Sequence, residues 1–151
     1  HEEGPTRIEP FDLSTDLKVP YVATSPNLLA AFIRVLTGES ITSKALATSQ
    51  AFYVIRGTGS SESEFGVTNW SEGDLFVLPT TQLPITHTAT GGDKGGAALY
   101  WVSDEPLMRY LGTLPEEQKF EPTMWTKAAL LDRVEEIRHT PGATELNRCV
   151  H

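Results

Sequence analysis

Cysteine is almost missing from this sequence: among 151 residues there is one, Cys149. No internal disulfide can form, so a reducing compartment, read as the cytoplasm, is expected. Positive charge is scarce as well, with 12 Lys and Arg against 20 Asp and Glu and a formal net charge of −8. Polyanions repel such a chain, which argues against nucleic acid or an anionic membrane as a partner. No apolar run approaches the ~20 residues of a membrane span. The opening His1-Glu2-Glu3-Gly4-Pro5 is acidic and polar, unlike a secretory signal, and it lacks Met. That start reads as a processed chain or a piece of something longer. Histidine is the last shortage: His1, His87, His139 and His151 are all there is.

What is present is punctuation. Twelve Gly and ten Pro cut the chain into short segments, and 39% hydrophobic residues suffice for the core of one domain. Residues 1–27 read as an extended arm with one strand near Arg7-Ile8. Leu28 to Leu36 has helical propensity, yet its flanking Pro26-Asn27 and Thr37-Gly38 favour a buried strand. Ala51 to Arg56 is aromatic and β-branched, and is read as a strand. Ser60 to Trp70 alternates like a hairpin with one wet face. Leu75 to Leu78, Leu83 to Ala89 and Ala97 to Val102 follow as strands, the last two separated by a flexible loop, Thr90–Gly96. Turn signals about ten residues apart mark a sandwich or barrel.

The tail differs. Pro106–Leu111 reads as a short helical turn closed by Gly112. Thr126 to His139 reads as a helix capped by Thr126, with Leu130, Val134 and Ile137 on one face and Pro141-Gly142 as its stop. Such a face is expected to pack on its own barrel; bridging to a partner subunit or a second domain is the alternative. The expected organisation is an arm (1–27), an all-β barrel (28–104) and a C-terminal extension (105–151) with its helix at about 126–139.

Gly38, Gly57, Gly73 and Pro79, with SQAFYVIRGTG and GDLFVLP around them, resemble the two motifs of a cupin. ALYWVSDEPLMRYLG is similar to the strand that leaves a cupin half in gentisate- and salicylate-type ring-cleaving dioxygenases. The resemblance implies a cupin jelly-roll β-barrel with a C-terminal α-helix, akin to one half of a two-cupin chain. It also implies a site: in that family two histidines and a glutamate from the first motif, with a histidine from the second, hold a metal. Here those positions carry Lys44, Leu46, Gln50 and Pro84. A protonated amine, an alkyl chain and a ring without a donor cannot ligate, and an amide oxygen is a weak substitute for a carboxylate.

The expectation is therefore a metal-free, non-catalytic barrel that binds a small organic acid or serves as a structural or dimerisation unit. Its partner would be an identical barrel or a tandem one, and no cofactor is expected. The alternative is part of a gentisate-like dioxygenase, with Fe(II) or another divalent metal in another barrel or in an atypical site around His87 and Gln50. Gln50, Phe52 and Val54 alternate onto the face that lines the cavity in cupins. Lys44 reads as solvated, or as an anion contact if it turns inward. His87, alone on Ile85-Thr86-His87-Thr88, reads as a surface or hydrogen-bonded side chain; the sharper alternatives are a pocket acid–base, a ligand contact or one weak metal donor. Trp101 completes the pocket-lining candidates, though it, Tyr53 and Tyr100 read first as packing residues. No phosphate loop or CxxC is present, and only His87 is placed to activate a serine.

Overall fold

Period-two alternation along the sequence becomes two opposed faces in space. In the computed structural model the described residues are 3–92 and 95–140. They form strands β1 (Arg7–Pro10), β2 (Leu29–Leu36), β3 (Ser40–Ser43), β4 (Ser49–Arg56) and β5 (Thr58–Ser63). Strands β6 (Gly66–Ser71), β7 (Leu75–Pro79), β8 (Ile85–Gly91), β9 (Gly96–Ser103) and β10 (Thr123–Trp125) follow, with helices α1 (Ser14–Leu17), α2 (Glu105–Leu111) and α3 (Lys127–Arg138). One antiparallel sheet has the order β1-β2-β9-β4-β7-β10 and the other β3-β8-β5-β6; among the described residues no ladder joins the two into a closed barrel. This is the jelly-roll architecture of a cupin.

The inward faces supply the core. Ala31, Ile33 and Val35 from β2, Phe52 and Val54 from β4, Phe76 and Leu78 from β7, and Leu99 and Trp101 from β9 pack against Trp70, Ile85 and Ala89 of the other sheet. Phe52 is the hub, stacked on Phe76 at 4.8 Å and parallel to Trp101 at 6.2 Å. Full burial of each such side chain contributes about 1.5–3 kcal/mol. That is why Leu29–Leu36, for all its helical propensity, is a strand: sandwiched between β1 and β9, it is buried along most of its length on both faces.

The sheet extends past residues 28–104 at both ends, since β1 pairs with β2 and β10 with β7. The arm is not loose. Leu13 N donates to Ala23 O at 2.8 Å, Phe11 N to Ala30 O at 2.9 Å, and Phe11 meets Phe32 edge-on at 4.8 Å. At the other end Asp74 roots α3: its carboxylate accepts from Lys127 N at 2.9 Å and Ser71 N at 2.8 Å, while Thr126 caps the helix through Ala129 N.

Beyond that root, the expectation of a helix packed on its own barrel fails. No residue of α3 is buried; Leu131 and Val134 are exposed, and Leu130 and Ile137 are half-buried. The apolar stripe is there, but among the described residues it is only partly covered. The proposed Pro141-Gly142 stop lies outside the described residues, as do positions 93–94 of the expected 90–96 loop, whose first residues instead complete β8. Among the described residues no helix is long and apolar enough to cross a membrane.

The chain passes from one sheet to the other at Gly57, between β4 and β5, with φ of +86°. A Cβ there would lie 2.8 Å from Ala97 Cα and 2.9 Å from Gly91 O, backbone atoms that no rotamer change can move. Gly57→Ala is thus expected to lose about 3 kcal/mol, from left-handed strain plus overpacking. By thermal melts monitored by circular dichroism, the midpoint should fall roughly 6–12 °C. A midpoint within about 2 °C of the parent would mean the corner is not tight.

Candidate functional site

Strand β8 turns Ile85, His87 and Ala89 into the core and leaves Thr86 and Thr88 half-buried. His87 therefore has no solvent exposure at all, which corrects its reading as a surface side chain; the hydrogen-bonded reading stands. Its Nδ1 lies 2.7 Å from Ser61 Oγ on β5, and its Nε2 lies 2.8 Å from Ser43 Oγ on β3. Trp70 Nε1 donates to the same Ser61 Oγ at 2.9 Å.

Each ring nitrogen thus has a hydroxyl partner, and a neutral imidazole donates through one nitrogen and accepts through the other. One relay runs from Trp70 through Ser61 and His87 to Ser43, with every ring nitrogen satisfied. Phe52 covers the ring at 5.1 Å between centroids. Burial disfavours the imidazolium, pushing the His87 pKa down from 6.5 to about 3.

Gln50 occupies the next layer of the core. Its Oε1 accepts from Trp101 Nε1 at 3.1 Å, and its Nε2 makes a long contact of 3.4 Å to Thr81 Oγ1. Across the ladder from it, Ser103 Oγ is buried with no protein partner among the described residues. Leaving a hydroxyl so placed costs about 1–3 kcal/mol. Val54 is buried with no polar role.

The structure brings Gln50, Phe52, Val54, His87 and Trp101 into one interior and leaves Lys44 out. Lys44 is exposed on the loop between β3 and β4, at the barrel rim. That loop is pinned by Asp104, whose carboxylate accepts from Thr48 N at 2.8 Å and from the Thr48 hydroxyl. Lys44 borders two hollows of about 440 Å³ each. One lies against Thr80, Thr81 and Glu116; the other lies under the arm, against Tyr21, Trp101 and Arg109.

A metal of the kind the cupin resemblance implies finds no ligand set in these residues. Both ring nitrogens of His87 are engaged by Ser61 and Ser43, Gln50 is tied to Trp101, Leu46 has no donor, and Pro84 is exposed. Among the described residues no group of three His, Cys, Asp or Glu side chains converges. Ser43, Ser61, Trp70 and Asp104 did not stand out in the sequence. The one available signal was phase: Gly59 and Ser61 share the inward side of β5, and small residues there leave room for Trp70, whose ring would lie 2.4 Å from a Cβ on Gly59.

The chain matches no protein-family model. It is 33% identical over 84 residues, 56% of its own length, to a 5-aminosalicylate 1,2-dioxygenase of Comamonas sp, and spans 21% of that protein. A salicylate 1,2-dioxygenase from Pseudoaminobacter salicylatoxidans, solved as an adduct with gentisate, superposes with a TM-score of 0.51 at 22% identity. The match covers 75% of this chain and 32% of that one. A second structure of salicylate 1,2-dioxygenase from the same source gives a TM-score of 0.51 at 21% identity, over 77% and 34% of the two chains. The chain thus has the cupin fold, is related to the barrels of ring-cleaving dioxygenases and resembles one half of such a protein. It spans about a fifth of the curated relative and about a third of the solved ones.

The buried imidazole sets an acid limit on stability. Its folded pKa is depressed, so the native state holds His87 neutral while the unfolded chain takes up a proton below 6.5. The contribution is complete above pH 6.5 and is lost as pH falls from 6.5 to about 3. Urea unfolding at successive pH values should show this group removing up to about 1.4 kcal/mol per pH unit within that window. In His87→Leu that component should vanish, with lower stability at neutral pH. An unchanged pH slope would contradict the burial of a neutral ring.

Proposed function

We propose that this chain is a metal-free, non-catalytic cupin barrel that acts as an assembly unit. The observation that carries the reading is the relay through His87: the side chains of the barrel interior are committed to one another, and aromatic rings fill the remaining space. The imidazole and the Gln50 amide, the two side chains best suited to chemistry there, are both held by neighbours.

Assembly draws support from the outer face of the large sheet. Phe32, Tyr100, Tyr53, Leu75 and Trp125 stand in register across β2, β9, β4, β7 and β10. Phe11 covers the first two, whereas Tyr53 is 44% and Trp125 40% exposed. Helix α3, rooted just past Trp125, adds the exposed Leu131 and Val134. A second barrel, identical or in tandem, is the partner that buries both surfaces.

A second reading draws on length. Because the chain spans 21% of its curated relative, a working metal has room elsewhere in a longer protein, with this barrel as the inert half. Both readings keep metal out of this interior.

Purified protein loaded anaerobically with Fe(II) or Mn(II) and then desalted is expected to retain only trace metal by plasma mass spectrometry. Near-stoichiometric metal that disappears in His87→Ala would overturn the reading. For assembly, light scattering coupled to size exclusion should return a dimer, and Tyr53→Arg should weaken it about tenfold or more. A monomer at all concentrations would remove identical barrels as the partner.

A further inference from the structure

Two polar side chains of the barrel interior lie side by side without satisfying each other. The ladders of the large sheet set Leu29, Ser103, Gln50 and Leu78 in one row across β2, β9, β4 and β7. Gln50 has no exposed surface and Ser103 only 2%, and the buried leucines flank the pair on both sides. Residues directly opposed on one face of an antiparallel pair hold their Cβ atoms about 4.5–5.5 Å apart. Yet the Ser103 hydroxyl takes no part in the hydrogen bonds of Gln50, which go to Trp101 and Thr81.

Trp101 fixes the orientation of the amide. An indole N–H can only donate, so the Gln50 atom 3.1 Å from Trp101 Nε1 is the carbonyl oxygen. The NH2 group is thereby turned toward Thr81, whose Oγ1 it reaches only at 3.4 Å. An amide nitrogen carries two protons, so one N–H of Gln50 is left over beside the unpaired Ser103 hydroxyl. Thr81, also buried, brings a second hydroxyl to the same amide. The surplus is therefore one donor and two hydroxyls, with no charge among them. An N–H repels a cation, and an anion here would be buried without a counter-charge.

We propose that Ser103 Oγ, Gln50 Nε2 and Thr81 Oγ1 bind a single buried water molecule, which ties β9 and β4 to the segment between β7 and β8. A buried water typically makes about three hydrogen bonds to groups that are otherwise unpaired, and three are on offer. The site rests on the metal-free reading of the interior and deepens it. Gln50 stands where the cupin resemblance implies a ligand carboxylate, and its amide holds water there instead of an ion. Metal content decides the first reading by mass spectrometry, whereas the water is judged by stability and by density, so the two can fail separately.

Ser103→Ala tests the site through the sign of its effect. Where the hydroxyl holds a water, removing it deletes a hydrogen bond, and the unfolding equilibrium constant in urea should rise about fivefold. Where the hydroxyl is merely unpaired, removing it relieves a desolvation cost, and the same constant should fall. A high-resolution crystal structure of the parent protein, grown in bromide, should show a water about 2.6–3.2 Å from all three atoms and no anomalous peak at that point. A Ser103→Ala variant as stable as the parent or more so, a direct Ser103–Gln50 hydrogen bond with no density between the three groups, or a bromide peak among them would each overturn the proposal.

Discussion

One neutral imidazole, pinned between two hydroxyls and covered by a phenyl ring, is the constraint around which this barrel is organised. His87 is completely buried, and a buried histidine is tolerable only when both nitrogens have partners and the ring stays uncharged. Ser43 and Ser61 meet the first condition, and Trp70, by donating to Ser61, extends the chain of hydrogen bonds to β6. The three partners come from β3, β5 and β6, all in the small sheet, while Phe52 comes from the large one. The relay therefore sets the register of one sheet and the stack on Phe52 ties it to the other.

From that constraint the division of labour follows. The interior is committed to packing, with Phe52, Phe76 and Trp101 as parallel plates and Gln50 as a bridge to the rim. Exposed apolar side chains lie instead on the outside, in the row ending in Tyr53, Leu75 and Trp125 and on α3 at Leu131 and Val134. Asp104 and Asp74 act alike at opposite ends. Each closes a turn and at the same time anchors a peripheral segment, the Lys44 loop in one case and α3 in the other.

Much of this was legible beforehand. Gly57, Gly73 and the strands between them are local features, since positive φ and alternation leave their mark on consecutive residues. Gln50, Phe52 and Val54 face inward as their phase on β4 requires. What was not legible is non-local. Ser43 lies on a four-residue polar strand with little propensity of its own, made a strand by pairing with β8. His87 looked ambiguous because alternation gives two faces without saying which is inside; the answer came from Ser61 and Trp70, distant in sequence. Helix α3 shows the reverse case. Its apolar spacing was read correctly, but whether a stripe is covered depends on a neighbour, and here the barrel turns its wall elsewhere.

The likeness to solved ring-cleaving dioxygenases lies in the fold, with strands in the jelly-roll order. The account therefore turns on the state of one ring. Nitrogen-detected magnetic resonance of His87 measures it directly, through the protonation of Nδ1 and Nε2 followed from pH 8 to pH 5 with and without added Mn(II). The account predicts a single neutral tautomer, unchanged across that range and not broadened by the paramagnetic ion. Titration of the ring near the ordinary histidine value, or broadening that reveals a metal on Nδ1, would contradict it.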